Sequence, residues 1–412
     1  MNKLDTIPGP NPWLRIFLPF AAGYFLSYLL RNVNAVIAPE LTRELGVSAG
    51  DLGLLTSAYL FAFGAFQLPL GILLDRYGPR RVESALLLLT ASGAALFALG
   101  HGISELVLAR ALIGLGVSAC LMAAFKAFSL WFPIQRLASL NAAIMAAGAL
   151  GALTASTPLG WALPQIGWRG AFYGLAILSL LAAMLIFTTP DKSASAAAAG
   201  GHETLARQLR GVGQVFGSPV FWRYAPQTAL ITGGFMAMQG LWAVPWLMNF
   251  SGLTRAAAAI HLLLMGIGML VGFVSIAAFV TRLAARGIHP GRILAVGMGC
   301  GIATTFLIVI DGASTHLLWF AMGLVFSVGN LSYALLSGQF PAQLAGRVNT
   351  ALNLLAFVGA FGIQWGFGAA VDAFTASGLA LRDAYQATYA VLLALQMAGY
   401  GWYVLGGKRS VN

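Results

Sequence analysis

The chain has 412 residues, of which 59% are hydrophobic and only 8% are charged, and its formal net charge is +11. Soluble proteins carry about 25% charged residues, so this composition excludes a soluble globular protein and predicts a membrane protein with many spans. The basic residues are spread over short segments between apolar runs, which is typical of membrane-protein loops rather than of nucleic-acid binding. Cys120 and Cys300 both lie in apolar segments, so we expect neither a disulfide nor a metal site.

Apolar runs of about 20 residues predict an all-α integral membrane protein with twelve transmembrane helices. The first run follows a polar, proline-rich start and is too long for a signal-peptide core, so we expect it to be retained. The predicted spans cover residues 13–40, 49–74, 82–100, 104–131, 138–162, 168–189, 222–250, 254–281, 292–310, 315–339, 348–373 and 382–406.

One long polar gap, residues 190–221, divides the spans into six and six. We therefore predict an N-terminal six-helix bundle (1–189), a cytoplasmic linker with a short amphipathic helix (190–221) and a C-terminal bundle (222–412). A weak repeat supports two related halves: Phe132-Pro133 and Phe340-Pro341 are 208 residues apart, and each is followed by a similar Asn-containing stretch.

Lys and Arg residues indicate the orientation. An even number of spans puts both termini on one side, and the segments on that side hold 14 basic residues, against 4 on the other. Basic loops remain in the cytoplasm, so we expect both termini to be cytoplasmic.

The turn between the second and third spans is dense in charge. Asp75 ends an apolar helix, where the helix dipole disfavours an anion, so it needs an outside partner. Glycine permits the tight turn and lets another helix approach closely. The residues of this candidate conformational latch are Gly71, Asp75, Arg76, Gly78, Arg80 and Arg81.

The spacing Gly-x-x-x-Asp-Arg-x-Gly-x-Arg-Arg resembles the signature loop of the major facilitator superfamily. The resemblance implies a twelve-helix secondary transporter of two pseudo-symmetric six-helix bundles, with this loop holding one conformational state. Arg110, Gly114 and Gly116 are similar to the family's Arg-x-x-x-Gly-x-Gly pattern, and we expect Arg110 to have a packing or gating role. The fifth helix lacks the Gly-Pro pairing of drug exporters and the Gly-Asn-rich run of nitrate porters, which disfavours both subgroups.

Charges deep in a membrane are candidate functional residues by default. Tyr24, Ser27, Arg31 and Asn34 fall on one face of the first helix, so we expect a polar stripe that lines a cavity. The alternative is a structural Arg31 bonded to backbone carbonyls.

The 208-residue offset places Gln239 and Trp242 at matching positions in the seventh helix, where they would orient a substrate. For Trp242 and its neighbour Trp246 the alternative is an interfacial aromatic belt.

Lys126 is the second deep basic residue, and it either lines the cavity or snorkels to the interface. Asn330 and Tyr333 form a polar face in the tenth helix and complete the predicted substrate-binding set. His261 titrates near neutral pH in principle, but a hydrogen-bonded structural histidine is favoured.

Acidic residues, Glu83 among them, all fall near the predicted helix ends. A positively charged cavity favours an anion, and the arginine fork suits a carboxylate, sulfonate or phosphate. The lack of a deep acid predicts exchange or facilitated export rather than obligatory proton symport. Arg31 also resembles the anion-binding arginine of organic-anion symporters, in which an Asp usually precedes it; here Leu30 does.

The sequence thus predicts a secondary transporter of a small organic anion, with a carboxylate the favoured class, working by alternating access. The alternative is a proton-coupled exporter of amphipathic compounds or drugs, since 26 Phe and 12 Met suit an adaptable pocket. We expect no enzymatic activity, since no catalytic motif is present, and no cofactor. The expected partners are the anionic substrate and the bilayer of the plasma membrane, with no nucleic acid, for a monomeric protein.

Overall fold

A computed structural model describes residues 13–132, 134–190, 211, 213–311, 316–341 and 344–406. All regular secondary structure of these residues is helical. Nine described helices are long and apolar enough to cross a membrane. The predicted fifth, seventh and twelfth spans are also helical where they are described, so twelve spans are consistent with the structure. Most of the predicted linker lies outside the described residues.

The first half of the chain forms six helices. A single π-helical turn, Trp13–Phe17, leads into the first of them. They are α1 (Leu18–Leu45), α2 (Ala49–Leu99), α3 (Ile103–Gly116), α4 (Cys120–Trp131), α5 (Ile134–Thr154) and α6 (Thr157–Phe187).

The range given for α2 comprises two predicted spans, which are two helices that meet at Gly78. Gly78 has φ 79° and ψ 161°, a conformation that side-chain-bearing residues rarely adopt. The predicted tight turn at this glycine is therefore confirmed.

The second half begins with a helical run that contains two π-helical segments. This run comprises α7 (Pro219–Gln227), a π-helix (Thr228–Thr232), α8 (Gly233–Ala237), a second π-helix (Met238–Trp242) and α9 (Ala243–Asn249). The later helices are α10 (Arg255–Ala285), α11 (Pro290–Asp311), α12 (His316–Phe326), a 3₁₀ turn (Ser327–Asn330), α13 (Leu331–Ser337), α14 (Ala345–Ala376) and α15 (Leu381–Gly406).

Internal contacts divide the chain into two compact units. The first comprises residues 1–33 and 58–205, and the second comprises 34–57 and 206–412. The end of α1 and the start of α2 thus pack with the second half of the chain. The domain boundaries predicted at 189 and 222 stay a prediction.

Several helix pairs within each unit meet through backbone atoms. A Cβ on Gly114 would collide with the backbone of Tyr59, and one on Gly151 would collide with the carbonyl oxygen of Phe25. In the second unit, Gly323 lies against the backbone of Met265 in the same way. Small residues allow this close approach, which supplies packing energy that the hydrophobic effect cannot supply within lipid.

Candidate functional site

Arg31 lies in an aromatic cluster of the first unit and remains partly exposed. Its guanidinium carbon is 4.7 Å from the centre of the Tyr28 ring and 5.1 Å from that of Phe63. The Tyr59 hydroxyl is within hydrogen-bonding reach of the same group. Aromatic faces stabilise a cation without neutralising its charge.

Tyr24 is held in place by α5. Its hydroxyl lies 3.5 Å from the Met145 sulfur, and its ring meets Tyr28 edge to face with centroids 5.1 Å apart. Gly148 makes room for the Tyr24 ring, because a Cβ there would lie 2.9 Å from its Cδ1 atom. Tyr24 therefore forms a rigid wall beside the arginine cluster.

The predicted polar stripe of α1 is divided between the two units. Ser27 is buried in the first unit, where its carbonyl oxygen accepts a 3.2 Å hydrogen bond from the Tyr59 hydroxyl. Asn34 is buried in the second unit, where its side-chain amide donates a 2.9 Å hydrogen bond to the Thr56 hydroxyl. Asn34 thus fixes the packing of α1 on α2 in this conformation.

Arg110 is fully buried and contacts protein groups. Its Nη1 donates a 2.8 Å hydrogen bond to the carbonyl oxygen of Leu30, and its guanidinium carbon is 4.8 Å from the centre of the Tyr59 ring. Gly114 and Gly116 pack against neighbouring backbones one and two turns further along the chain. These contacts fit the predicted packing role, and a gating role stays a prediction.

Lys126 is partly buried in α4, where its carbonyl oxygen accepts a 2.8 Å hydrogen bond from the Ser129 hydroxyl. This environment fits both a cavity-lining lysine and one that snorkels.

Glu83 is buried to a degree that the sequence did not indicate. Its side chain is completely buried against Gly23 of α1, Ile186 of α6 and Cys120 of α4. Ile186 is the second-last residue of α6, so the expectation that Glu83 lies near a helix end stays a prediction. Its burial depends on the packing of three other helices, which the sequence of its own span does not show.

Gln239 and Trp242 both lie inside the second unit. The Trp242 indole is fully buried, donates a 2.9 Å hydrogen bond to the Gln364 carbonyl oxygen and stacks on Phe367 with centroids 4.9 Å apart. Gln239 is nearly buried, with its amide nitrogen 3.9 Å from the Met269 sulfur. Their predicted substrate contacts stay predictions, and Trp242 exposes no surface in this conformation.

Trp246 does not form an aromatic belt. It is fully buried, stacks on Phe250 at 4.2 Å and meets Tyr389 edge to face at 4.8 Å. Belt tryptophans face the membrane interface, so the alternative proposed for this residue is wrong.

Asn330 and Tyr333 differ in exposure. Asn330 is exposed at the end of the 3₁₀ turn, inside an apolar span. The Tyr333 hydroxyl donates a 3.1 Å hydrogen bond to the side-chain oxygen of Asn353. An exposed amide within an apolar span is typical of a water-filled path.

The predicted latch is only partly described. No described atom lies within 4 Å of the Cβ position of Gly71, so a close helix approach at this glycine is absent from this conformation. The side chain of Asp75 lies outside the described part of the structure.

The latch arginines have separate environments. Arg80 donates a 3.2 Å hydrogen bond to the Thr189 carbonyl oxygen and lies over the Phe187 ring, which ties the turn to the end of α6. Arg76 and Arg81 are exposed. Arg76 lies over the ring of Tyr77.

Sequence reasoning missed a set of contacts at the start of α2. The backbone N–H groups of Ala49 and Gly50 donate to the two Asp372 carboxylate oxygens, at 3.2 and 2.7 Å. Glu40 forms an ion pair with Arg255 in the same unit. The carboxylate complements the positive end of the helix dipole. The sequence signal for these contacts was the position of acidic residues at predicted helix ends. Their partners are hundreds of residues away in the chain, so the sequence pattern does not identify them.

A cavity of about 520 Å³ adjoins these contacts within the second unit. Its polar lining includes Arg43, Asn249, Asp372 and Tyr385. Its volume suits a small molecule.

His261 is buried, and its Nδ1 is 2.8 Å from the Ala257 carbonyl oxygen. Its ring stacks on His316 with centroids 4.5 Å apart. The favoured prediction of a hydrogen-bonded histidine is confirmed. Among the described residues, no group of three or more His, Cys, Asp or Glu side chains could hold a metal ion.

Comparison with known families gives one match over most of the chain. Residues 20–363 match the family model described as Major Facilitator Superfamily.

Similar curated proteins are bacterial transporters. The protein named Probable sulfoacetate transporter SauU, of Cupriavidus necator, is 28% identical over 173 residues, which are 41% of this chain and 40% of that protein. The Hexuronate transporter of Escherichia coli K12 is 31% identical over 177 residues, 42% of this chain and 41% of that protein. The Probable L-galactonate transporter of the same strain is 30% identical over 169 residues, 41% of this chain and 37% of that protein. The matched segments span about two fifths of these relatives.

Solved structures match over nearly the full length. A bacterial homologue of the human lysosomal transporter Spinster, in an inward-facing and unoccupied conformation, has a TM-score of 0.76 at 17% identity, with 97% of this chain and 98% of that chain covered. A D-xylose-proton symporter has a TM-score of 0.74 at 18% identity, with 94% and 97% covered. At these identities the likeness establishes the fold.

Proposed function

Because the chain belongs to the Major Facilitator Superfamily, a family of multi-pass membrane transporters and not of enzymes, we propose that it moves a small organic anion across a membrane by alternating access. A carboxylate is the expected class of substrate. The predicted all-α membrane fold of this family and the prediction of a non-enzymatic protein are both confirmed by the family and structural matches, and the predicted count of twelve helices is consistent with them.

The observation that carries the proposal is the environment of Arg31. A guanidinium in an apolar span, between the rings of Tyr28 and Phe63 and still partly exposed, favours a desolvated anion. Its planar fork matches the two oxygens of a carboxylate or the oxygens of a sulfonate. The names of similar proteins refer to sulfoacetate, galactonate and hexuronate, which are all organic acid anions.

Other residues take supporting roles in the proposal. Tyr24 and Ser27 shape the first unit's part of the path, and Lys126 adds a second positive charge. Within the second unit, Gln239 and the exposed Asn330 are the polar residues proposed to contact the substrate.

The proposal also covers the remaining predicted roles. Asp75 and its neighbouring arginines hold one conformational state, while Asn34, Trp242 and Tyr333 complete the substrate path in other states of the cycle.

We place the protein as a monomer in a bacterial plasma membrane, with both termini in the cytoplasm. The support is the basic bias of 14 to 4 residues and the bacterial origin of the similar proteins. Six helices on each side of the 190–221 segment remain the proposed domain organisation.

The test is flux through purified protein in liposomes. Labelled D-glucuronate, L-galactonate and sulfoacetate are offered singly, and counterflow is measured against the same unlabelled anion inside. At least one anion should exchange. Arg31→Gln should lower that flux by about 100-fold or more, since removing one partner of a desolvated charge pair costs about 3 kcal/mol. Arg31→Lys should recover little of this flux, because the point charge of lysine does not reproduce the planar fork of the guanidinium group.

Arg286→Gln is the matched control, since Arg286 is exposed at the end of α10. Normal flux in Arg31→Gln would overturn the anion site. Transport of lipophilic cations with none of the three anions would favour the alternative, an exporter of amphipathic compounds.

A further inference from the structure

A second cavity of the second unit lies where α7 begins and α15 ends. Its volume is about 640 Å³, and it shares no lining residue with the cavity beside Asp372. Helices α7, α11 and α15 line it, together with residues on either side of the end of α13. Several lining residues are exposed, among them His289, Gln339 and Val404, so the cavity opens at the protein surface. No residue of the proposed anion path or of the latch lines it.

The guanidinium group of Arg223 supplies positive charge to this cavity. Its carbon lies 5.2 Å from the centre of the Tyr403 ring and 5.8 Å from that of Tyr224, and its Nε donates a 3.2 Å hydrogen bond to the Tyr403 carbonyl oxygen. Within the described part of the chain, its two Nη nitrogens donate no hydrogen bond and no acid pairs with it. Arg223 is partly exposed and always protonated, so these nitrogens can donate to an anion that enters from outside.

His289 lines the same cavity, and Gly291 defines which of its nitrogens is a donor. The Gly291 N–H group donates a 3.1 Å hydrogen bond to His289 Nδ1, so the neutral ring carries its hydrogen on Nε2. The residues that line the cavity include no Asp or Glu. An arginine and a histidine donor without an acid favour an anion, and the oxygens of a phosphate group suit the arginine fork.

Two tyrosines hold the cavity in shape. The rings of Tyr224 and Tyr403 meet edge to face with centroids 5.2 Å apart, and the Gln339 side-chain amide donates a 3.0 Å hydrogen bond to the Tyr224 hydroxyl. These contacts join α7, α15 and the residues after α13. The cavity is therefore formed without a ligand, which lowers the ordering cost of binding.

The surface around the cavity has the character of a membrane interface. Trp222 and Trp402, the chain neighbours of Arg223 and Tyr403, are both exposed, and the Trp402 indole N–H donates a 2.8 Å hydrogen bond to the Trp222 carbonyl oxygen. Exposed tryptophans are typical of the level of the lipid head groups. Every exposed residue of α15 between positions 390 and 405 is apolar. A ligand with a phosphate group and apolar chains fits this combination better than a free phosphate does.

The segment between α10 and α11 adds basic residues next to His289. Residues 282–292 contain Arg282, Arg286 and Arg292, which are all exposed, and no acid. Each basic residue near a membrane surface contributes about 1 kcal/mol of attraction to anionic lipid, and basic pockets between membrane-spanning helices bind anionic head groups. This segment would concentrate anionic lipid at the mouth of the cavity.

We propose that this cavity binds the phosphate group of an anionic phospholipid. Arg223 Nη atoms and His289 Nε2 donate to the phosphate oxygens, and the acyl chains lie along the apolar exposed face of α15. The bound lipid joins the ends of α7, α11 and α15 and stabilises the folded second unit. This site is independent of which anion the protein transports.

The test measures the thermal unfolding temperature of the purified full chain in a neutral detergent. Three probes are titrated separately: phosphatidylglycerol, phosphatidylcholine as the neutral lipid, and glycerol phosphate as a soluble phosphate compound. Phosphatidylglycerol should raise the unfolding temperature and reach saturation, because a ligand of the folded state stabilises it. The other two probes should have little effect at the same concentration.

Arg223→Gln should raise the concentration of phosphatidylglycerol that gives half of the maximal shift by about tenfold or more, because it removes a charge-assisted hydrogen bond. Arg223→Lys keeps the charge without the fork and should recover part of the affinity. Each variant is compared with its own lipid-free unfolding temperature, so that a loss of packing over the tyrosine rings is separated from a loss of lipid binding.

Arg382→Gln is the matched control. Its guanidinium carbon also lies over an aromatic ring, 5.1 Å from the centre of Phe250, but Arg382 is at the start of α15. At 1.5 Å per residue it is about 30 Å along the helix from Tyr403, well beyond the screening length of about 8 Å. Its affinity for phosphatidylglycerol should equal that of the wild type. Arg286→Gln, outside the cavity lining, should weaken binding less than Arg223→Gln does.

Unchanged affinity in Arg223→Gln, equal weakening by Arg286→Gln, or equal stabilisation by phosphatidylcholine would overturn the site. Stabilisation by glycerol phosphate at the same concentration would overturn a lipid as the ligand and assign the cavity to a soluble phosphate compound. No flux is measured, so each of these results leaves the proposed transport untouched.

Discussion

Arg31 and Arg110 both lie in apolar helices of the first unit and both approach Tyr59, yet their surroundings differ. Arg31 is partly exposed between aromatic rings, whereas Arg110 is fully buried and donates to the Leu30 carbonyl oxygen. Leu30 is the residue before Arg31, so the second arginine supports the helix turn that carries the first.

Depth in the membrane therefore does not by itself assign a role to a charged residue. A cation that lies against ring faces and is partly exposed is placed to meet a ligand from water. A cation that donates to a backbone carbonyl inside the protein contributes to packing and orientation. Variants that remove a charge and keep the side-chain volume test this distinction.

The largest effect is expected for Arg110→Ala. Deleting a fully buried side chain of this size leaves a cavity, and we expect a loss of about 3 kcal/mol in the free energy of unfolding. Arg110→Met keeps most of the volume and removes the charge, so it should retain most of the stability, as buried ions replaced by apolar residues often do.

Thermal unfolding in detergent measures both variants, with counterflow normalised to folded protein. Arg110→Met should keep flux within about tenfold of wild type, against about 100-fold loss for Arg31→Gln. Equal losses of flux in the two variants would show that both arginines bind the anion.

An intermediate effect is expected for Tyr59→Phe. The variant removes the hydroxyl that donates to the Ser27 carbonyl oxygen and approaches Arg31, but it keeps the ring beside Arg110. A single hydrogen bond contributes about 1 kcal/mol, so we expect the KM for the anion to rise about fivefold. A change in unfolding temperature as large as that of Arg110→Ala would contradict the assignment of the hydroxyl to the Arg31 side.

The smallest effect is expected for Tyr28→Leu. It removes one aromatic face from Arg31, worth about 0.5–1 kcal/mol, and leaves Arg110 untouched. The KM should rise about threefold, with the unfolding temperature nearly unchanged. Anion affinity that is insensitive to this change, measured by isothermal titration, would indicate that the ring serves only to pack α1.

Much of the fold follows from local sequence. Hydropathy predicts the spanning helices. Glycine at position 78 predicts a turn, because glycine readily adopts a positive φ, and the structure has a positive φ there. Local pattern also indicates that Arg31 and Tyr24 share a helix face. These features depend on residues close together in the chain.

The identity of distant neighbours does not follow from such patterns. Glu83 is buried by helices that contribute Gly23 and Cys120, and Asp372 is more than 300 residues from its partners Ala49 and Gly50. Trp246 has the sequence position of an interfacial residue, yet α15 covers it through Tyr389. Helix periodicity tells which residues share a face but not which element covers that face.

The glycine contacts within each unit have a thermodynamic consequence. Where Gly114 meets Tyr59, Gly151 meets Phe25 and Gly323 meets Met265, backbone atoms pack directly. A leucine loses about 0.5–1 kcal/mol of rotamer entropy when it is buried, whereas glycine has no rotamers to lose. These junctions therefore form with almost no side-chain ordering, and heating weakens them less than it weakens contacts between long side chains. Helices joined in this way behave as stiff bodies, so a displacement at one end of a helix pair is transmitted along its whole length.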